Sequence, residues 1–167
     1  TVADYDADGR SDVFVGDNGG GYVYYQGWGG SLGQSGNAAL TNASSGIFGG
    51  WTPLSRVPGV ISTIGVASGD VNGDGNQDIL APTNDAWNGF GGSTGLGVFQ
   101  GSGSGSFSSV VPSSVSGRPR YATVFDADFD FPGDAAVSIA DNKIDIFKGR
   151  AGTLGLQFRQ TITVTGS

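Results

Sequence analysis

The chain has 167 residues, enough for one domain with a real core, and it carries 32 glycines, a formal charge of −7 and only 14% charged residues. It contains no cysteine, histidine or methionine, which excludes disulfides, Ser-His-Asp and Cys-His catalysis within this chain, and most transition-metal sites. The eight basic residues form no stripe, so nucleic acid is not an expected partner, and no apolar run approaches the roughly 20 residues that span a bilayer.

Taken from the start, Thr1 to Val15 reads TVADYDADGRSDVFV. Asp4, Asp6, Asp8 and Asp12 fall at positions one, three, five and nine of a tight loop, Gly9 at six and Arg10 at seven. Alternate side chains of such a loop point inward, a backbone carbonyl at seven fills the gap, and glycine at six permits the sharp turn, which is the order of oxygen donors that wraps calcium. Asp12 to Gly16 then reads as a strand, 17–21 as a turn, and Tyr22 to Gln26 as the hairpin partner. Only Thr1 to Ala3 precede the loop, so the first module is expected to be incomplete.

The pattern returns at Gly65 to Leu80, GVASGDVNGDGNQDIL. Asp70, Asn72, Asp74 and Asp78 occupy the four side-chain positions, Gly75 is at six and Asn76 at seven. An EF-hand would need a carboxylate at position twelve and flanking helices, but position twelve is Ala81, and the flanks, Ile64 to Ala67 and Asp78 to Ala81, are short and partly β-branched. The loop therefore joins two strands. Pro82 to Gly97 reads as a long excursion before a strand at Val98 to Gln100.

A third copy, Tyr121 to Ile139, places Asp126, Asp128, Asp130 and Asp134 at the ligand positions and Pro132 at seven. Phe131 stands where the glycine should be, and a phenylalanine resists a positive φ, so this loop is expected to bind its ion less well or with altered geometry. Ala135 to Ala140, a turn at 141–143, Ile144 to Lys148 and an outer strand at Gln157 to Val164 follow. All fifteen acidic residues are aspartate, and most lie in the three loops, so the negative charge belongs to sites. No segment sustains a helical period, and almost no helix is expected.

Three acidic loops at intervals of 66 and 56 residues, with the lead-in Gly65-Val66-Ala67-Ser68-Gly69, resemble the FG-GAP (VCBS-type) repeats of integrin α-subunit β-propellers. The resemblance implies an all-β chain of about three four-stranded blades, over approximate modules 1–59, 60–116 and 117–167. It also implies calcium in the first two loops, with a third ion possible, and an extracellular location. The sequon Asn42-Ala43-Ser44 agrees with secretion. Three blades do not close a ring, since propellers use roughly four to eight. Either the chain is a fragment of a longer propeller, or another chain completes it by self-assembly.

Bland readings stand beside these. The loops could be solvated turns, and paired aspartates could serve a glycosidase, but carboxylates spaced by two along a metal loop are committed to the ion. Asp17, Asp85, Asp141 and Asp145 are the acids left over. Trp28, Trp51 and Trp87 lie beside glycines or, with Phe90, in the excursion, where indole faces can stack on a sugar ring. Equally, they can plug gaps between blades. Three functions remain open: an adhesion or recognition module for a glycan or an extracellular protein, a structural subunit of an extracellular assembly, and, last, the non-catalytic part of a polysaccharide-active enzyme.

Overall fold

The computed structural model describes residues 1–5, 7, 9, 11–16, 22–27, 48–53, 65–83, 94–104, 107, 111–153 and 155–165. These form three antiparallel four-stranded sheets and no helix. The first holds β1 (Val2–Ala3), β2 (Asp12–Gly16), β3 (Tyr22–Gly27) and β4 (Phe48–Pro53). The second holds β5 (Ala67–Gly69), β6 (Asp78–Thr83), β7 (Gly95–Phe99) and β8 (Val111–Ser114). The third holds β9 (Pro119–Phe125), β10 (Asp134–Ile139), β11 (Lys143–Lys148) and β12 (Gln157–Thr163). Each is a meander in sequence order, the form of a propeller blade.

The first sheet does have its inner strand, but it is two residues long, with Val2 opposite Val13 and Ala3 opposite Asp12. In the second sheet β6 runs on through Pro82, and β7 begins at Gly95, so the expected excursion narrows from both ends. Residues 84–93 lie outside the described ones. Pro82 is tolerated because the pairing of β5 with β6 ends at Ala67 opposite Leu80. Beyond Leu80 the strand has a partner on one side only, where Pro82 faces Leu96.

Burial explains how the blades stack. Every residue of β6 and β7 is buried, the near-continuous apolar run of a strand covered on both faces. Alternation divides them: Ile79, Ala81 and Phe99 pack with Tyr5 and Phe14 of the first blade. Leu80, Leu96 and Val98 pack the other way, with Ala135, Val137, Ile139 and Phe147 of the third. Tyr5, Phe14 and Phe107 meet edge to face at centroid distances of 5.7 to 6.5 Å, an arrangement aromatic quadrupoles favour. In the third blade only one face is so covered. Ala135, Val137 and Ile139 are buried while Ala136 and Ser138 between them are partly open, and all of β12 is exposed.

This asymmetry has a measurable consequence. Leu80→Ala should cost about 3 kcal/mol in chemical denaturation, the range for a fully buried leucine, whereas Ile162→Ala, at a residue 42% exposed, should cost under about 1 kcal/mol. Equal losses would contradict the two-sided burial of the middle blade.

Candidate functional site

The second loop is built as a ladder. Asp70 Oδ1 accepts the N–H groups of Asn72 (3.2 Å) and Gly73 (2.6 Å), Asn72 Oδ1 accepts that of Asp74 (2.9 Å), and Asp74 Oδ1 accepts that of Asn76 (2.8 Å). Each short polar side chain bonds the backbone two residues on, the local habit of Asp and Asn. The loop closes when the Gly75 N–H reaches Asp70 Oδ2 at 2.7 Å, and the first loop closes the same way, Gly9 N–H to Asp4 Oδ2 at 2.8 Å.

Positive φ values recur at two positions of every loop. Gly9 and Gly75 at position six have φ of +83° and +85°, and Phe131 takes +32° there. Position four does the same, with Ala7 at +59°, Gly73 at +75° and Phe129 at +60°. The phenylalanine expected to resist this region is therefore held in it, about 50° short of the glycines. Side chains at positions one, three and five stay free to converge because the intervening residues carry the reversal.

Position nine is placed differently from the rest. Asp12, Asp78 and Asp134 are almost wholly buried. In the second loop Asp78 Oδ2 accepts the Val71 N–H and its Oδ1 the Gly101 N–H, both at 3.0 Å. Asp134 repeats this with Ala127 (3.0 Å) and Gly149 (3.1 Å), and Asp12 Oδ2 accepts the Tyr5 N–H at 2.8 Å. Burial pushes Asp78 up to about 6, against the pull of the Val71 and Gly101 N–H groups, and the negative Asp74 and Asp70 add to the rise.

At position five, burial works to raise Asp74, but hydrogen bonds from Gln100, Asn76 and Asn72 outweigh it and hold the carboxyl below its ordinary value. The Gln100 amide donates to Asp74 Oδ2 at 2.9 Å and that of Asn72 at 3.1 Å. In the third loop the residue in Gln100's place is Lys148, immediately before Gly149 as Gln100 is before Gly101. Its Nζ bonds both Asp128 and Asp130, which lowers Asp128 and raises Lys148 itself. One oxygen each from Asp126, Asp128 and Asp130 lie within 4.8 Å of one another, an exposed cluster that could hold a metal ion.

The loops also join blades. The carbonyls of Asp70, Val71 and Asn72 accept N–H groups of Gly133 (2.8 Å), Arg150 (3.1 Å) and Gly152 (2.8 Å) from the third blade. Between the first two loops a cleft of about 400 Å³ is lined by Asp4, Ala7, Gly75, Asn76 and Gly103 among others.

Of the sequence-predicted residues, Asp6, Asp8, Arg10, Trp28, Trp87 and Phe90 lie outside the described residues, and for Trp51 only its place in β4, opposite Tyr25, is described. Asp141 sits with Asn142 in the hairpin turn between β10 and β11, at φ of +62° and +58°, within a three-residue loop, 140–142, that Ile139 and Lys143 close by pairing. Asp145 is buried, bonded by the Ser116 N–H and by the hydroxyls of Ser116 and Thr161. Gln100, Lys148 and the backbone demand at position four were missed from sequence. The signal for the first two is the repeated dipeptide Gln26-Gly27, Gln100-Gly101, Lys148-Gly149.

Residues 4–81 match the FG-GAP-like repeat family, a stretch that opens on position one of the first loop and ends within β6. No curated protein matches the chain. The third blade lies beyond the matched stretch and shares its hydrogen-bond scheme through Asp134.

Because Asp78 has a folded-state pKa above the ordinary carboxylate range, its contribution to stability is full below about pH 4 and is lost as pH rises through about 6. In chelator, the melting temperature should therefore fall between about pH 4 and pH 6 and level off above that. Asp78→Asn, which keeps one acceptor and loses the other, should be less stable by about 1–3 kcal/mol and should flatten that slope. An unchanged slope in the variant would assign the pH dependence elsewhere.

Proposed function

Because residues 4–81 carry an FG-GAP-like repeat, we propose that this chain is a calcium-stabilised propeller module of the extracellular space, used for adhesion or recognition of a glycan or protein ligand. The observation that carries the reading is the second loop. The side chains of Asp70, Asn72 and Asp74 are set by the backbone ladder, and among the described residues the Asp70 and Asp74 carboxylates take hydrogen bonds from neutral donors only. Such an oxygen set fits a hard cation. Asp70, Asn72, Asp74 and Asp78 with the Asn76 carbonyl would hold one ion, and Asp4, Asp6, Asp8 and Asp12 with the Arg10 carbonyl another. The ion's contribution is electrostatic: it removes repulsion among carboxylates held close together, so that binding free energy becomes folding free energy.

The role is non-catalytic in this reading. Asp145, an acid outside the loops, is committed to three hydrogen bonds in the interior, which supports a structural part for it. The extracellular location is supported by the absence of thiols and by calcium availability there; among the described residues no helix is long and apolar enough to cross a membrane.

A calcium titration followed by thermal melting tests the site. At a hundredfold excess over its dissociation constant, one ion adds about 2.7 kcal/mol, and Asp74→Ala should lose most of its loop's share while Asp85→Ala keeps it. Matched losses in the two variants would sink the assignment.

A second reading, a subunit of a larger blade assembly, is favoured by the outer face of the third blade. Phe125 (39% exposed) and Ile162 (42%) stand open there, on a sheet whose opposite face is packed against a neighbour. Another blade is the partner that would cover them. Light scattering coupled to size exclusion, with calcium and with chelator, separates the readings: a calcium-dependent dimer or polymer supports assembly, and a monomer in both conditions leaves the module alone.

A further inference from the structure

The three loops are not closed by the same chemistry. In the first two, the position-six N–H reaches the position-one carboxylate, Gly9 to Asp4 and Gly75 to Asp70. In the third, Asp126 receives no counterpart of that bond among the described residues, and Phe131 holds position six at a φ of +32° where the glycines have +83° and +85°. What ties the third loop is Lys148, whose ammonium bridges positions three and five from the end of β11.

The alignment of blades makes this specific. Gly101 and Gly149 donate to the position-nine aspartates Asp78 and Asp134 in the same way, so Gln100 and Lys148 are equivalent by structure. Gln100 bonds one ligand-position carboxylate and brings no charge. Lys148 bonds two and brings a full positive charge, on a side chain only 20% exposed. The convergence of Asp126, Asp128 and Asp130 within 4.8 Å is the arrangement a cation imposes on three mutually repelling carboxylates. Here the cation at hand is the ammonium.

We propose that Lys148 is the resident cation of the third loop: its ammonium takes the place of a divalent ion between Asp128 and Asp130, and the third blade is closed without metal. A calcium ion could enter only by expelling Lys148 from two ion pairs, and it would then lie beside the displaced like charge. Calcium in the first two loops rests on the reading above, whereas the assignment of Lys148 does not depend on it.

Calorimetric titration with calcium chloride tests the assignment in the intact chain, using the wild type, Asp126→Asn, Lys148→Gln and the double variant. Asp126 is a third-loop carboxylate that Lys148 does not touch, so Asp126→Asn should leave the wild-type stoichiometry unchanged. Lys148→Gln, which installs the residue of the second loop, should gain one site, and the double variant should lose it again. A wild type that loses one site on Asp126→Asn overturns the proposal even if Lys148→Gln fails to fold, and so does a folded Lys148→Gln variant that gains none. A wild type that binds no calcium while Lys148→Gln binds one ion would instead sink the reading of the first two loops and leave Lys148 in place.

Discussion

Everything at the rim of this molecule rests on the buried aspartate at position nine. Asp78 and Asp134 each take one N–H from the start of their loop and one from a glycine just beyond the third strand of the blade, Gly101 or Gly149. Three separate pieces of chain are therefore held by one carboxylate, and Asp12 begins the same arrangement in the first blade. A carboxylate out of water is costly unless its lone pairs are used, and here both oxygens are. The residual cost is visible in Asp78, whose affinity for a proton rises on burial. What the cost secures is a fixed foot for the loop, so that positions one, three and five can be presented as a set.

The second consequence of that foot is contact between blades. The backbone carbonyls of Asp70, Val71 and Asn72 face the third blade and accept its N–H groups. Close approach of this kind needs residues without a side chain. A Cβ on Gly149 would run into the Gly133 and Val71 carbonyls, and one on Gly133 would meet Val124 at 2.9 Å and the Asp70 carbonyl at 3.1 Å. Order within the second loop is thereby order at a blade junction. An ion that holds the loop would also hold the junction, which is how a small site influences the packing of two sheets.

Much of this was legible in the sequence because loop chemistry is local. The one, three, five, nine spacing, the glycine at six and the hairpin at Asp141 and Asn142 depend on residues close in the chain, and the central strands followed from runs such as Ile79 to Ala81. The outer strands β4 and β8, FGGWTP and VPSS, were not legible. They are rich in glycine, proline and serine, and are held by one neighbouring strand rather than by propensity. Pro82 looked like a strand end because the missing partner on its β5 side is a fact of register. Position four was hidden for another reason: only Gly73 declares its positive φ, while Ala7 and Phe129 adopt it under the constraint of the loop. Lys148 was hidden because it lies eighteen residues after Asp130, and the topology alone brings them together.

The contrast between the middle and third blades is where packing and function meet. The same alternation of side chains runs through both sheets, yet in the middle blade both sets of alternate residues are buried and in the third only one is. Ile79 and Leu80, adjacent in sequence, each find a neighbouring blade. Ile144 and Ile146 of β11, which alternate with the buried Asp145 and Phe147, are only partly covered. Hydrophobic burial scales with area removed from water, so the third blade's outer face is apolar surface that a further neighbour would stabilise, as both faces of the middle blade are stabilised here. The two loops differ in what reaches them from the end of the third strand: Lys148 brings a charge to Asp128 and Asp130, and Gln100 brings a neutral amide to Asp74.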